Sequence, residues 1–105
     1  MGGRVLVLGA SGFIGGHAVS CLREQGHQVT GTSRDGEGQD LACDLLDPES
    51  IEAAVRACEP EAVVMTAGIS SVKACWQDPD ACFSINVRGV YNLLEVLRKA
   101  GPDCH

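Results

Sequence analysis

The chain has 105 residues, a hydrophobic content of 45% and a formal net charge of −6 at pH 7. This length allows one hydrophobic core and excludes a second complete domain. The basic residues are scattered, which excludes a sequence-independent grip on nucleic acid, and no apolar run approaches the roughly 18 residues of a membrane span. We therefore expect a cytoplasmic protein that binds a small molecule, and neither nucleic acid nor a membrane.

The cysteines show neither a CxxC pair nor the spacing of zinc ligands or of a disulfide framework. There are six of them: Cys21, Cys43, Cys58, Cys75, Cys82 and Cys104. We predict that they are reduced and that several pack as small apolar residues.

The first part of the chain alternates strands with a helix. A continuous apolar run at residues 4–8, bounded by glycines, is typical of a strand buried on both faces of a parallel sheet. Residues 27–32 predict a second strand and residues 40–43 a short, weak third one, after a polar, glycine-rich loop at 34–38. Between the first two strands, apolar residues at helical spacing predict a helix that Gly26 ends: Ile14, Ala18, Val19 and Leu22.

An Asp-Pro pair begins the second helix. Asp47 can cap free amides, while Pro48 occupies the first helical position, where no donor is missed. The apolar stripe of this helix consists of Ile51, Ala54, Val55 and Cys58. Residues 61–66 then predict a fourth strand.

A second pair of the same kind, Asp78-Pro79, begins the longest helix. We expect this helix to end at Gly101-Pro102. Its predicted apolar stripe consists of Phe83, Val87, Val90, Leu94 and Leu97. The apolar sides of this helix and of the fourth strand, at Val63, Leu93 and Leu97, are expected to be partly uncovered, so that the chain self-associates through residues 79–100.

Three glycines join the first strand to the first helix. Such a turn must be tight, its backbone must approach a ligand closely, and the start of the helix offers free amides to an anion. Pyrophosphate is the natural occupant, because the strand–helix–strand context disfavours a turn that binds nothing. The turn therefore predicts a dinucleotide site that contains Gly9, Ser11, Gly12, Phe13, Ile14 and Gly15.

The alternation of strands and helices predicts an α/β fold of the Rossmann type. Parallel strands with right-handed crossovers give a doubly wound parallel sheet with strand order 3-2-1-4 and helices on both faces. We expect residues 1–101 to form the amino-terminal, cofactor-binding part of such a domain, truncated after the fourth strand and its helix. Residues 102–105 are expected to form a tail.

The GxxGxxG spacing and four further segments resemble the extended short-chain dehydrogenase/reductase family, which includes nucleotide-sugar epimerases, dehydratases and reductases. The resemblance extends from Val5 to Gly101. Its segments are VLGASGFIG at 7–15, GHQV at 26–29, CDLLD at 43–47, AVVMTAG at 62–68 and NVRGVYNLLE at 86–95. The chain departs from the family at Leu8, where threonine is usual, so that a hydroxyl that braces the turn is missing.

In this family the end of the second strand distinguishes NAD from NADP. An acidic residue there accepts hydrogen bonds from the ribose hydroxyls and selects NAD, whereas a cation selects the 2′-phosphate of NADP. The chain has Ser33 at that place, followed by Arg34, whose planar fork suits phosphate. We favour NADP(H). NAD(H) remains the alternative, because Arg34 is otherwise an exposed loop residue and Asp35 is an acid within reach of a ribose.

The resemblance also assigns residues to the adenine and to the floor of the cofactor site. It places Asp44 and Leu45 beside the adenine, where the Asp44 carboxylate accepts from the exocyclic amine; helix capping is the alternative. Thr66, Ala67 and Gly68 pass beneath the cofactor at the switch point where such sheets bind ligands.

Two further assignments concern the segment after the fourth strand. Asn86 matches an asparagine near the nicotinamide, although a mid-helix asparagine is equally a local backbone partner. Residues 70–72, with Cys75, Trp76 and the Asp78-Pro79 pair, resemble a loop that borders the sugar of nucleotide-sugar enzymes. In the alternative, Trp76 only covers the start of the helix.

The family's catalytic tyrosine, followed by a lysine four residues later, is not found in these 105 residues. The single tyrosine, Tyr91, precedes Glu95, which would raise the tyrosine pKa, so we interpret Tyr91 as structural. No catalytic residue and no metal ligand is assigned, and we expect no turnover from this chain alone.

Three functions are consistent with these features. The first is the cofactor-binding portion of an NADP-dependent epimerase, dehydratase or oxidoreductase that acts on a nucleotide sugar. The second, favoured by the short connection from Asp35 to Asp40, is a 4-keto reductase like dTDP-4-dehydrorhamnose reductase. The third is a non-catalytic NADP-binding module that regulates or scaffolds a partner.

Overall fold

The sheet is built from four short parallel strands. The computed structural model describes residues 2–68, 72–100 and 104. Its strands are β1 (Arg4–Leu8), β2 (Gln28–Ser33), β3 (Leu41–Ala42) and β4 (Ala62–Met65). Their order is β3-β2-β1-β4, and Leu6 of β1 is in register with Thr30 and Val63. The predicted order 3-2-1-4 is confirmed, and the carboxyl ends of the strands share one edge of the sheet.

Helices follow three of the four strands. They are α1 (Phe13–Glu24), α2 (Pro48–Cys58), α3 (Val72–Gln77), α4 (Pro79–Phe83) and α5 (Gly89–Ala100). A π-helical turn (Ser84–Arg88) joins α4 to α5 without a break, so the predicted longest helix exists and contains a π insertion. The sequence patterns do not predict α3.

The two Asp-Pro pairs cap their helices as predicted. Asp47 Oδ1 accepts from the Glu49 amide at 3.2 Å, and Asp78 Oδ1 accepts from the Ala81 amide at 3.1 Å. Each aspartate therefore supplies an acceptor to an amide that has no partner inside its own helix. The predicted helix end at Gly101-Pro102 and most of the 102–105 tail lie outside the described residues.

The core lies on both faces of β1. Leu6 and Leu8 belong to one buried cluster, which includes side chains of α2 and α5. Val5 and Val7 belong to a second cluster, which includes Val19 of α1. Burying a strand on both faces requires helices on both sides of the sheet, and this arrangement explains the continuous apolar run of β1.

Two predicted apolar stripes need correction. Ile14, at the start of α1, is exposed rather than packed with Val19. In the long helix, Leu94 is 60% exposed whereas the adjacent Leu93 is only 4% exposed, so the buried face lies one residue away from the predicted one. The helix carries apolar residues on two sides, and the π insertion shifts the phase of its turns. The predicted stripe is therefore mainly exposed: Phe83, Val87 and Leu94.

The prediction that every cysteine is reduced is wrong. A disulfide joins Cys75 of α3 to Cys82 of α4, whose Cα atoms are 5.1 Å apart. Asp78 and Pro79 separate the two short helices and turn the chain, which brings together two cysteines seven residues apart. Cys21, Cys43 and Cys58 are free thiols, and burial raises the pKa of the Cys43 thiol.

Candidate functional site

An open cleft of about 360 Å³ lies at the carboxyl ends of β1, β2 and β4. Most of the predicted site residues line this cleft: Gly9, Ser11, Gly12, Ser33, Arg34, Asp44, Leu45, Thr66, Ala67 and Gly68. Ile85, in the π-helical turn, also lines it and was not among the predicted residues. The fold thus gathers residues from five separate segments into one site.

The first and third glycines are required by the fold itself. Gly9 has a φ of +85°, and a Cβ on it would lie 2.6 Å from the Ala67 amide nitrogen. A Cβ on Gly15 would lie 2.0 Å from the Gly9 carbonyl oxygen. Neither position accepts a side chain without moving backbone, because α1 begins in direct contact with the turn.

The second glycine is not required by the protein's own packing. Gly12 has an ordinary φ of −79°, and a Cβ on it would lie 3.4 Å from its nearest neighbour, the Gly9 carbonyl oxygen. That distance is ordinary van der Waals contact. The space above Gly12 is therefore open to the cleft, and the backbone is available for close approach by a bound group.

The start of α1 faces this open space with its amides uncapped. Gly12 occupies the N-cap position, so no side chain there accepts from the first amides of the helix. The first turn also carries no acidic residue. A helix start in this condition attracts an anion, because its amide donors and the positive end of the helix dipole point outward.

A hydroxyl from the end of β4 braces the glycine turn. Thr66 Oγ1 lies 2.8 Å from the Leu8 carbonyl oxygen and 3.2 Å from the Gly9 carbonyl oxygen. The family resemblance predicts that the turn lacks a bracing hydroxyl, because Leu8 replaces the usual threonine. The structure supplies a hydroxyl from the neighbouring strand's end, at a residue 58 positions away from Leu8.

The loop after β2 is organised around one serine hydroxyl. Ser33 Oγ donates to Asp35 Oδ1 at 3.2 Å and accepts from the Gly36 amide at 3.0 Å. Asp35 Oδ1 also accepts from the Glu37 amide at 3.0 Å. Hydrogen bonds from the Glu37 amide and the Ser33 hydroxyl lower the pKa of Asp35. The Asp35 carboxylate is thus engaged within its own loop.

Arg34 extends across the rim of the cleft towards Asp44. The Arg34 side chain is 83% exposed, and its Nε lies 3.8 Å from Asp44 Oδ2. An ion pair this exposed holds the guanidinium only weakly. The guanidinium can therefore turn towards an anion that enters the cleft.

The backbone at Asp44 and Leu45 is fixed by two side chains that the sequence analysis does not single out. Ser50 Oγ accepts from the Asp44 amide and lies 2.9 Å from the Asp44 carbonyl oxygen. Asn92 Nδ2 of α5 donates to the Leu45 carbonyl oxygen at 2.8 Å. These contacts hold the Asp44–Leu45 wall of the cleft in place. Ser50 is six residues from Asp44, so only its contact is close enough along the chain to be predicted from sequence.

Asn86 lies at the end of the cleft near β4. A Cβ on Gly68 would lie 2.9 Å from Asn86 Oδ1, and Asn86 Nδ2 lies 3.4 Å from the Cys82 sulfur. Asn86 does not line the cleft itself, but it packs beside Gly68 and follows Ile85, which both do. Its place in a π-helical turn fits the frequent occurrence of such insertions at functional sites.

Phe13, Ile14 and Gly15 do not line the cleft. Phe13 and Ile14 project from the first turn of α1 and are exposed, and Gly15 is buried beneath the turn. Trp76 is 86% exposed and covers none of the described residues at the start of α4, so the covering role is wrong. Ser70 and Ser71 lie outside the described residues.

Of three other features, a second groove, a metal site and a membrane-spanning helix, the described residues contain only the groove. A groove of about 560 Å³ between α2 and α5 is lined by Tyr91 and Glu95 and lies away from the glycine turn. Within residues 2–68, 72–100 and 104, no group of three metal-binding side chains occurs. The same residues contain no helix with both the length and the apolar character that a bilayer crossing demands.

The sequence profile of the NAD dependent epimerase/dehydratase family matches residues 5–104. The 3-diazoavenalumate denitrifying reductase of a Streptomyces species is 36% identical over an alignment of 107 residues, which covers 93% of this chain and 34% of the reductase.

Two solved structures share the fold of this chain. The UDP-glucose 4-epimerase of Thermus thermophilus in complex with NAD has a TM-score of 0.85 and 36% identity, covering 93% of this chain and 34% of the epimerase. The UDP-glucose-4-epimerase of Stenotrophomonas maltophila, with bound NAD and formylated UDP-arabinopyranose, has a TM-score of 0.81 and 29% identity, covering 94% of this chain and 34% of that one. The chain therefore spans about a third of the length of these relatives.

Proposed function

Because the chain belongs to the NAD dependent epimerase/dehydratase family, we propose that it is the NADP(H)-binding portion of an enzyme that acts on nucleotide sugars. In this proposal, residues 1–101 bind the cofactor. The sugar chemistry is proposed from relatives whose described substrates are UDP-linked sugars, and this chain matches about a third of their length. We also propose that the enzyme is cytoplasmic; NAD is bound in both solved relatives.

The observation that carries the proposal is the open space at Gly12. Gly9 and Gly15 are explained by contacts within the protein, but the absence of a side chain at Gly12 is not. A pyrophosphate over this position accepts from the uncapped amides at the start of α1 and lies against the positive end of its dipole. The second glycine is then explained by the ligand.

The loop after β2 supports NADP(H) over NAD(H). Ser33 offers a hydroxyl where a carboxylate would select NAD, and that hydroxyl already bonds to Asp35 and Gly36. The Asp35 carboxylate is engaged by Ser33 and Glu37, so a ribose would have to compete with these bonds. Arg34 is the cation at this rim, and a 2′-phosphate suits its planar fork.

In the proposed binding mode, the adenine and the nicotinamide lie at opposite ends of the cleft. The adenine lies against Leu45, with its amine near the Asp44 carboxylate, at the end where Arg34 reaches the 2′-phosphate. The nicotinamide then extends past Thr66 and Ala67 towards Gly68 and Asn86. Phe13 and Ile14, whose side chains lie outside the cleft, contribute backbone amides at the start of α1 to the pyrophosphate. Tyr91 lines the distant groove and takes no part in this arrangement.

The test of cofactor choice is a calorimetric titration of the 105-residue chain with NADPH and with NADH. We expect NADPH to bind more tightly. Replacing the guanidinium in Arg34→Ala should weaken NADPH binding roughly tenfold and leave NADH binding unchanged, because only NADPH carries the 2′-phosphate.

Arg56→Ala is the matched control. Arg56 lies on α2, pairs with Glu52 and does not line the cleft. Arg56→Ala therefore changes the net charge by the same amount as Arg34→Ala without removing a group from the cleft. NADPH binding should survive in this variant. Equal loss of NADPH binding in the two variants would show a general charge effect and would refute the assignment of Arg34.

A further inference from the structure

The disulfide between Cys75 and Cys82 lies at the turn between two short helices. Cys75 is in α3 and Cys82 is in α4, and both are half-buried. Asp78 sits at the turn, where its amide donates to the Ala74 carbonyl and its carboxylate caps α4. The Cα separation of 5.1 Å lies in the range that disulfides span without moving the backbone, which is about 4.4–6.8 Å.

The disulfide anchors α3 to α4. The first of these helices has six residues and packs against the second. Its described side chains, apart from Cys75, are exposed: Lys73, Ala74, Trp76 and Gln77. A helix this short is unstable without tertiary contacts, and exposed side chains supply few of them. The disulfide is therefore the covalent link between α3 and α4, and reduction removes that link.

The same sulfur pair is close to the wall of the cleft. Cys82 Sγ lies 3.4 Å from Asn86 Nδ2, and Asn86 Oδ1 packs against Gly68. Gly68 and Ile85, which precedes Asn86, both line the cleft. One side chain, Asn86, thus connects the disulfide to the end of the cleft where the proposed nicotinamide lies.

We propose that Cys75 and Cys82 form a reversible thiol–disulfide site whose oxidation state controls cofactor affinity; this inference rests on the proposed function. A thiolate of a dithiol reductant attacks one sulfur of the pair, and the other sulfur leaves as a thiolate and takes a proton. The second thiol of the reductant then attacks the mixed disulfide. The protein gains two thiols, and the dithiol becomes a disulfide, so two electrons and two protons are transferred.

The oxidised form is the tighter binder in this account. With the disulfide closed, α3 stays on α4 and Asn86 keeps its contact beside Gly68. With the disulfide open, the cofactor must order this side of the cleft when it binds. We expect the dissociation constant for NADPH to rise roughly three- to tenfold on reduction, as expected when a mobile segment is ordered by a ligand.

The first measurement is independent of the cofactor. The chain is equilibrated in a buffer of reduced and oxidised glutathione, quenched in acid, denatured and labelled with N-ethylmaleimide, and its mass is determined. Of the six cysteines, the four outside the disulfide should be labelled. Treatment with dithiothreitol should raise the number to six, and peptide mapping should assign the change to Cys75 and Cys82. Six labels before reduction would overturn the proposal.

The second measurement is calorimetric titration with NADPH in both oxidation states. Cys75→Ser and Cys82→Ser should each bind like the reduced chain and should not respond to dithiothreitol. Cys21→Ser, which removes an exposed thiol of α1, should respond like the unmodified chain. Equal NADPH affinity in the two states of the unmodified chain overturns the redox control alone. Failure of both states to bind NADPH or NADH overturns the proposed function, and the redox control with it.

Discussion

The glycine turn (residues 9–15) and the long helix (residues 79–100) are held in place in different ways. The turn depends on backbone contacts, and at Gly9 and Gly15 any side chain would collide with main-chain atoms. The helix depends on side-chain burial along one face, where Leu93 packs into the core, while the other apolar face is exposed. We therefore expect any substitution at Gly9 or Gly15 to disturb the turn, whereas the helix should accept substitutions on its exposed face.

The largest effect is expected at Gly15. In Gly15→Ala, the added methyl group would lie 2.0 Å from the Gly9 carbonyl oxygen, so the turn and α1 must separate. We expect the free energy of unfolding to fall by roughly 3 kcal/mol or more, measured by urea denaturation.

Gly16→Ala is the control, because its methyl group would lie 3.5 Å from the Ala10 carbonyl oxygen, an ordinary contact. Alanine favours a helix over glycine, so this variant should be as stable as the unmodified chain or more stable. Equal destabilisation by the two variants would show that the turn is not held by backbone contact.

The long helix gives the next effect. Leu93→Ala removes a side chain that is 4% exposed, and we expect a loss of about 2 kcal/mol or more from the free energy of unfolding. Leu94→Ala removes the same side chain from a position that is 60% exposed, and it should change stability by less than about 1 kcal/mol. Thermal and urea denaturation measure both. A larger loss from Leu94→Ala would restore the face predicted from sequence.

The smallest effect concerns the loop after β2, which is held by polar contacts. The pKa of Asp35 is lowered from its ordinary value of 3.8, chiefly by the Glu37 amide and then by the Ser33 hydroxyl. The ionised carboxylate therefore stabilises the loop above pH 3.8, and this contribution is lost as the pH falls through the lowered pKa. The Glu37 amide resonance should shift in that acidic range, as measured by NMR. The shift should vanish in Asp35→Asn and persist in Glu24→Gln; its persistence in Asp35→Asn would exclude Asp35 as the cause.

The difference between the two regions also determines what could be predicted from sequence. At the turn, sterics fix the residue types, so the glycines and the cleft beside them are predictable from spacing and context. In the long helix, two apolar stripes compete and the π insertion shifts the phase, so the predicted face is wrong at Leu94 while Leu93 is buried. Burial there is decided by contact with α2, which the local pattern does not encode.

Long-range contacts account for most of what the sequence patterns do not predict. The Thr66 brace on Leu8 and the Asn92 contact with Leu45 each join residues more than 40 positions apart. The disulfide depends on how Asp78 and Pro79 turn the chain between α3 and α4. The cysteine spacing carries no sign of that turn. The cleft as a whole is nevertheless predictable, because parallel strands bring their carboxyl-end residues together.

The most direct test of the central claim compares Gly12→Ala with the unmodified chain in binding NADPH. Because a methyl group at Gly12 meets no protein atom closer than 3.4 Å, the free energy of unfolding should fall by less than about 1 kcal/mol. The methyl group would occupy the space assigned to the pyrophosphate, so NADPH binding, measured by calorimetry, should weaken by about tenfold or more. Unchanged NADPH affinity in a folded Gly12→Ala chain would contradict the assignment of the glycine turn as the cofactor site.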